Sequence, residues 1–89
     1  MRKEICGIIV TWNSGEEIHR SLPAIVSQVD EVVIVDNGST PHELAILKNF
    51  IFKYSNASIT EIGENKGIAA AFNRGFEYAL SKGFSWVIT

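Results

Sequence analysis

The chain has 89 residues, 46% of them hydrophobic, and a formal net charge of −2. That length suits one small domain or part of a larger one, and standing alone it would have a modest core. The charge offers no footing for nucleic acid or an anionic membrane surface as a partner, and no stretch approaches the ~20 apolar residues of a membrane span.

The basic start Met1-Arg2-Lys3 leads into an apolar run, Ile5 to Thr11, that is too short for a signal peptide and is followed by no small-residue cleavage site. A soluble, cytoplasmic domain is therefore expected. The run has no polar alternation and reads as a first strand buried on both faces. Cys6, the only cysteine, falls inside it and reads as a buried thiol acting as a small hydrophobe. Ser14-Gly15-Glu16-Glu17 has capping-box spacing, and Ile18, Leu22, Ile25, Val26 and Val29 follow at helical intervals. Pro23 falls within that helix, where a kink or restart is expected because proline removes a hydrogen bond.

The second strand, Glu31 to Asp36, carries the apolar run Val32 to Val35 and ends abruptly in Asp36-Asn37-Gly38-Ser39-Thr40. Thr40-Pro41-His42-Glu43 is a second capping box with proline at the favoured first helical position. Leu44, Leu47, Ile51 and Tyr54 mark the buried face of that helix, and Asn56 reads as a left-handed stop. The third strand, Ala57 to Ile62, is weakly patterned and belongs nearer a sheet edge. After the turn Gly63 to Gly67, a third helix is predicted from about Gly67 to Ser81, with Ile68, Phe72, Phe76 and Leu80 spaced by four. Lys82-Gly83 ends it. Phe84 to Ile88 opens a fourth strand, and a chain that stops on such a strand is expected to be the first part of a larger domain. The alternation predicts an α/β fold: a Rossmann-like parallel sheet of about four strands with helices on both faces.

Three strand ends should then meet along one sheet edge: Thr11-Trp12-Asn13, Asp36 to Ser39, and Gly63 to Gly67. Each precedes a helix whose free amides attract anions, and ligands of open α/β sheets bind at the carboxyl ends of the strands. This describes a nucleotide cleft. Each residue also has a plainer reading. Asp36 to Ser39 can be only a turn, Trp12 a core aromatic instead of a stacking platform, Asn13 a loop or cap residue, and Asn65 the cap of the third helix. Asn73 lies mid-helix, where asparagine is a poor former, and reads as a hydrogen-bonding partner of a ligand or a sheet loop, the plainer alternative being an idle surface asparagine. His19 and His42 read as solvated.

Ile8 to Asn13, Val33 to Thr40 and Asn65 to Gly75 together resemble the family 2 glycosyltransferases, in particular bacterial rhamnosyltransferases of that family. The resemblance implies a GT-A fold, with residues 1–89 as its N-terminal nucleotide-sugar-binding portion. It implies that Thr11 and Asp36 contact the base and ribose of the donor, and that Asn65, Gly67 and Asn73 shape the pocket floor. Trp12, Asn13 and Asn37 complete the expected site. Phe72 stands where many members carry arginine. The resemblance also implies a nucleotide-sugar donor such as dTDP-rhamnose, a glycan or lipid-linked acceptor, and a divalent metal, Mg or Mn. The family's acidic pair for that metal and its catalytic base would follow Thr89, so no catalytic or metal-binding residue is assigned and these 89 residues alone are expected to be inactive. Self-association through an uncovered flank is also expected.

Two rivals are weaker. A dinucleotide-dependent oxidoreductase needs Gly-x-Gly-x-x-Gly after the first strand, and Thr11 to Gly15 has a single glycine. A phosphoacceptor receiver wants paired acids there. A small non-enzymatic α/β module that binds a nucleotide or a protein remains the alternative.

Overall fold

The computed structural model describes residues 4–89, so the basic start lies outside the described residues. Strands β1 (Ile5–Thr11), β2 (Glu31–Asp36), β3 (Ala57–Glu61) and β4 (Trp86–Ile88) alternate with helices α1 (Gly15–Val26), α2 (Pro41–Ile51) and α3 (Ile68–Lys82). All pairings are parallel and the strand order is β3-β2-β1-β4. The chain steps outward from β1 to β3 and then crosses back to place β4 on the other side of β1. That reversal is the switch point at which doubly wound sheets take ligands.

The sheet is covered on both faces, as its strands predict. Cys6, Ile8, Val33 and Val35 pack under α3, while Val32 and Ile34 pack under α1 and α2 with Ile18, Leu22, Leu47 and Ile51. Val32 to Val35 are fully buried. At about 2 kcal/mol per side chain, this run anchors β2 and so fixes where Asp36 emerges. β3 lies at one edge, in keeping with its weak patterning. Gly83, at φ 82°, closes α3 through its N–H to Ala79 O and Leu80 O.

Four local expectations are corrected. The buried face of α3 is Ala71, Gly75 and Ala79, not the four-spaced stripe, since Ile68, Phe76 and Leu80 are exposed. A Cβ on Gly75 would lie 2.6 Å from Ile8 Cγ2, so the small residues let α3 sit directly on β1. Of the kink or restart expected at Pro23, the restart does not occur: α1 is continuous there, because proline and the His19 carbonyl it leaves unpaired are on exposed residues. Asn56 has no positive φ. Its Nδ2 instead donates to Val26 O at 2.9 Å, capping the end of α1 from across the sheet. Ser14 makes no side-chain cap, because its hydroxyl is turned back onto the Trp12 backbone.

One tie has a pH consequence. The Tyr78 hydroxyl donates to Glu31 Oε1, fastening α3 to β2, and Cys6 is buried nearby. Burial, with help from the Glu31 charge, pushes the Cys6 thiol from its ordinary 9.0 up to about 11. Burial and the bond to Glu31 also raise Tyr78. Both groups are held in their protonated forms by folding, so their contribution is complete below pH 9 and is lost as pH rises toward 11. Thermal melting should be flat from pH 7 to 8.5 and fall above pH 9, with a shallower fall in Cys6→Ala.

Candidate functional site

The loops after β1, β2 and β3 meet at the carboxyl ends of the strands and are stitched into one rim. Asp36 is 1% exposed and is its centre. Its Oδ1 accepts from Thr11 Oγ1 at 2.8 Å and from Ser39 Oγ at 2.5 Å, and its Oδ2 accepts from Ser39 N at 2.9 Å. A carboxylate that lost its hydration on burial recovers it in these three bonds. Thr11 is buried too, and its carbonyl accepts from Asn37 N at 2.8 Å.

Asn37 joins the second loop to the third. Its Nδ2 donates to Asn65 Oδ1 at 3.3 Å and its Oδ1 accepts from Lys66 N at 3.0 Å. Asn65 Oδ1 also accepts from Gly67 N at 2.9 Å. Gly38 sits between them at φ 91°, where a Cβ would lie 2.5 Å from Glu64 C and 2.6 Å from Asn65 N. The backbones of two loops touch at that point, and the left-handed conformation excludes a side chain independently. Asn13 joins the first loop to the second, its N–H donating to Ser39 Oγ at 2.9 Å and its Oδ1 accepting from Thr40 N at 3.0 Å.

Seven of the eight expected site residues are thus gathered at this rim: Thr11, Trp12, Asn13, Asp36, Asn37, Asn65 and Gly67. Asn73 is not. It is exposed on the side of α3 away from Ala71 and Gly75, and forms no hydrogen bond with the described residues, so the expected bond to a sheet loop is absent. The plain reading of Trp12 as a core aromatic is also set aside, because Trp12 is 54% exposed. Of the two histidines, His19 is exposed yet stacks on Phe50 at 4.0 Å between ring centroids. Gly38, Ser39 and Lys66 lay within the expected strand ends but were given no role of their own. A serine three residues after an aspartate at a turn is the signal that could have found Ser39.

The three helix starts at this rim differ. Thr40 Oγ1 accepts from Glu43 N at 3.3 Å and caps α2. Helix α1 has Glu16 and Glu17 in its first turn. Helix α3 has neither a side-chain cap nor an acid in its first turn, and Lys66 stands just before it. Its amides and dipole therefore favour an anion most. At the other end of the sheet an open cavity of about 330 Å³ is lined by Asp30, Glu31, Asn56 and Ser58. Two acids make it unsuited to phosphate.

The pattern of glycosyl transferase family 2 matches residues 6–89. The chain belongs to that family. Among curated relatives, the glycosyltransferase AglE of Haloferax volcanii is 37% identical over 79% of this chain and 25% of its own length. The dTDP-rhamnosyl transferase RfbF of Shigella flexneri is 34% identical over 99% of this chain and 29% of its own. This family 2 chain thus spans about a quarter of the length of these relatives. Among solved structures, a mannosyltransferase of Pyrobaculum calidifontis in complex with GDP-Man and Mn2+ superposes with a TM-score of 0.72 and 24% identity, over 89% of this chain and 25% of that one. That likeness establishes the GT-A type of α/β fold.

A divalent cation does not fit the residues present. Asp36 is the one acid buried in the rim, and its carboxylate already accepts three protein hydrogen bonds. Glu64, at the edge of the rim, faces Lys66. No group of three or more His, Cys, Asp and Glu among the described residues is arranged to hold a metal ion.

Proposed function

We propose that this chain forms the donor-binding half of a glycosyltransferase site and takes a nucleoside diphosphate-sugar at the rim of the three loops. The observation that carries the reading is the stitching of those loops into a single edge, with the uncapped start of α3 beside them. The diphosphate would lie toward the first amides of α3 and Lys66, and the nucleoside toward Trp12 and Asn37. Asp36 acts in this reading chiefly by holding Thr11 and Ser39 in place. Asn65 and Gly67 shape the floor. The expected part for Asn73 would require a ligand that reaches past the first turn of α3.

The finer reading takes dTDP-rhamnose as donor and a glycan or lipid-linked acceptor in surface polysaccharide synthesis, in the cytoplasm. It is supported by the similarity to the Shigella flexneri rhamnosyl transferase. Any Mg or Mn would be held by groups outside residues 1–89, and the same holds for the catalytic base, so this segment alone would be inactive. Self-association would use the exposed flank of β4, where Trp86, Val87 and Ile88 lie uncovered. Calorimetric titration of the chain with dTDP, UDP and GDP tests the reading. Saturable binding of dTDP near about 1 mM, or about −4 kcal/mol, is expected, changed little by manganese. Absence of saturable heat with any of the three would contradict it, and preference for GDP would contradict the rhamnosyl donor alone.

A further inference from the structure

Asn13 is the one non-glycine residue with positive φ, 53°, among the described residues. Glycine would adopt that conformation at lower cost, so backbone shape alone does not explain an asparagine there. Its polar groups do. Its N–H goes to Ser39, which Asp36 grips in turn, and its Oδ1 takes the N–H of Thr40. Thr40 is the N-cap of α2, and in a complete capping box Glu43 would reach back to that same N–H. Asn13 supplies this acceptor from another loop. The next residue on either side is fixed as well, since Trp12 N donates to Ser14 Oγ at 3.0 Å.

We infer that Asn13 is a positioning residue: it bolts the loop after β1 to the start of α2 and so sets the half-exposed Trp12 on the rim before a ligand arrives. The inference rests on the nucleotide-binding reading of the rim and adds that its aromatic member is preorganised. An aromatic already held in place loses less freedom when a base stacks on it. The Asn13 side chain acts in this reading through a contact between two loops, its Oδ1 committed to Thr40 N.

The test uses Trp86→Phe as parent, which leaves Trp12 as the only tryptophan of the two in the chain. Fluorescence anisotropy and acrylamide quenching of Trp12 are read without ligand, and then UDP, dTDP and GDP are titrated. Asn13→Gly keeps the backbone conformation and loses the acceptor. It should melt within a few degrees of the parent, lower the anisotropy, raise the quenching, and weaken nucleotide binding about fivefold. Asn13→Asp keeps an acceptor oxygen and should restore the anisotropy and the quenching, while its added charge bears separately on the affinity for an anionic nucleotide. An Asn13→Gly variant with parental anisotropy and affinity overturns the inference, as does failure of Asn13→Asp to restore the anisotropy. A parent that binds none of UDP, dTDP and GDP, with anisotropy still lost in Asn13→Gly and restored in Asn13→Asp, supports the bolt and overturns the nucleotide reading.

Discussion

Gly38→Ala should destabilise the chain by about 3 kcal/mol, combining the cost of a left-handed non-glycine with a steric overlap that must be relieved by backbone movement. The added methyl would meet Glu64 C, Asn65 N and Glu64 Cα at 2.5, 2.6 and 2.7 Å, and none of these atoms can rotate away. The third loop would have to move off the second, breaking the bonds of Asn37 to Asn65 and Lys66. For a domain of this size the melting temperature should fall by more than about 10 °C. Nucleotide binding should be lost even at temperatures where the variant is folded. Scanning calorimetry and titration on one preparation read both effects. A variant that melts like the parent would show that the two loops are not in contact at Gly38.

Asp36→Ala is the second large effect, expected at about 3 kcal/mol, because it takes the acceptor from the buried Thr11 hydroxyl and from the hydroxyl and N–H of the partly buried Ser39. Asp36→Asn keeps the shape but turns an amide toward donors, and should cost less than alanine while still loosening the rim. Donor affinity should fall with both variants, in the order alanine below asparagine below parent. Such grading belongs to a residue that acts through Thr11 and Ser39. If Asp36→Asn abolished binding without any change in stability, Asp36 would instead touch the nucleoside directly. Unchanged affinity in Asp36→Ala would remove Asp36 from the site altogether.

The strands were the legible part of this fold. The unalternating apolar run of β1 and the β-branched run Val32 to Val35 of β2 mark their own limits, and Asp36 announces a strand end because a charge cannot continue a run buried on both faces. Gly83 and Thr40 were legible for similar local reasons. The side of α3 that meets the sheet was not. Its large residues recur every four positions, and so do Ala71, Gly75 and Ala79; which set turns inward depends on how closely the helix can approach Ile8, a tertiary distance. Asn56 carries a stop signal in its residue type, but its amide is claimed by Val26 across the sheet. At the site, the meeting of three loops followed from strand order, whereas the partners of Asp36 and Asn13 did not. Asp36 was expected to face a ligand and Asn13 either a ligand or its own loop, and spacing along a chain says nothing of hydroxyls and amides that arrive from other loops. Asn73, a poor helix former in a helix, suggested a bond to a ligand or a sheet loop; the sheet-loop bond is absent because the residue is exposed on the far side of α3.

Nuclear magnetic resonance mapping of nucleoside diphosphate binding tests the central claim most directly, since it reports location as well as affinity. With dTDP added to labelled chain, the largest shifts should fall on the amides of Trp12, Asn37, Gly38 and residues 65–69, with the Asp30, Asn56 and Ser58 end of the sheet unmoved. Shifts clustered at that opposite end, or none at millimolar nucleotide, would contradict the assignment of the rim as the donor site.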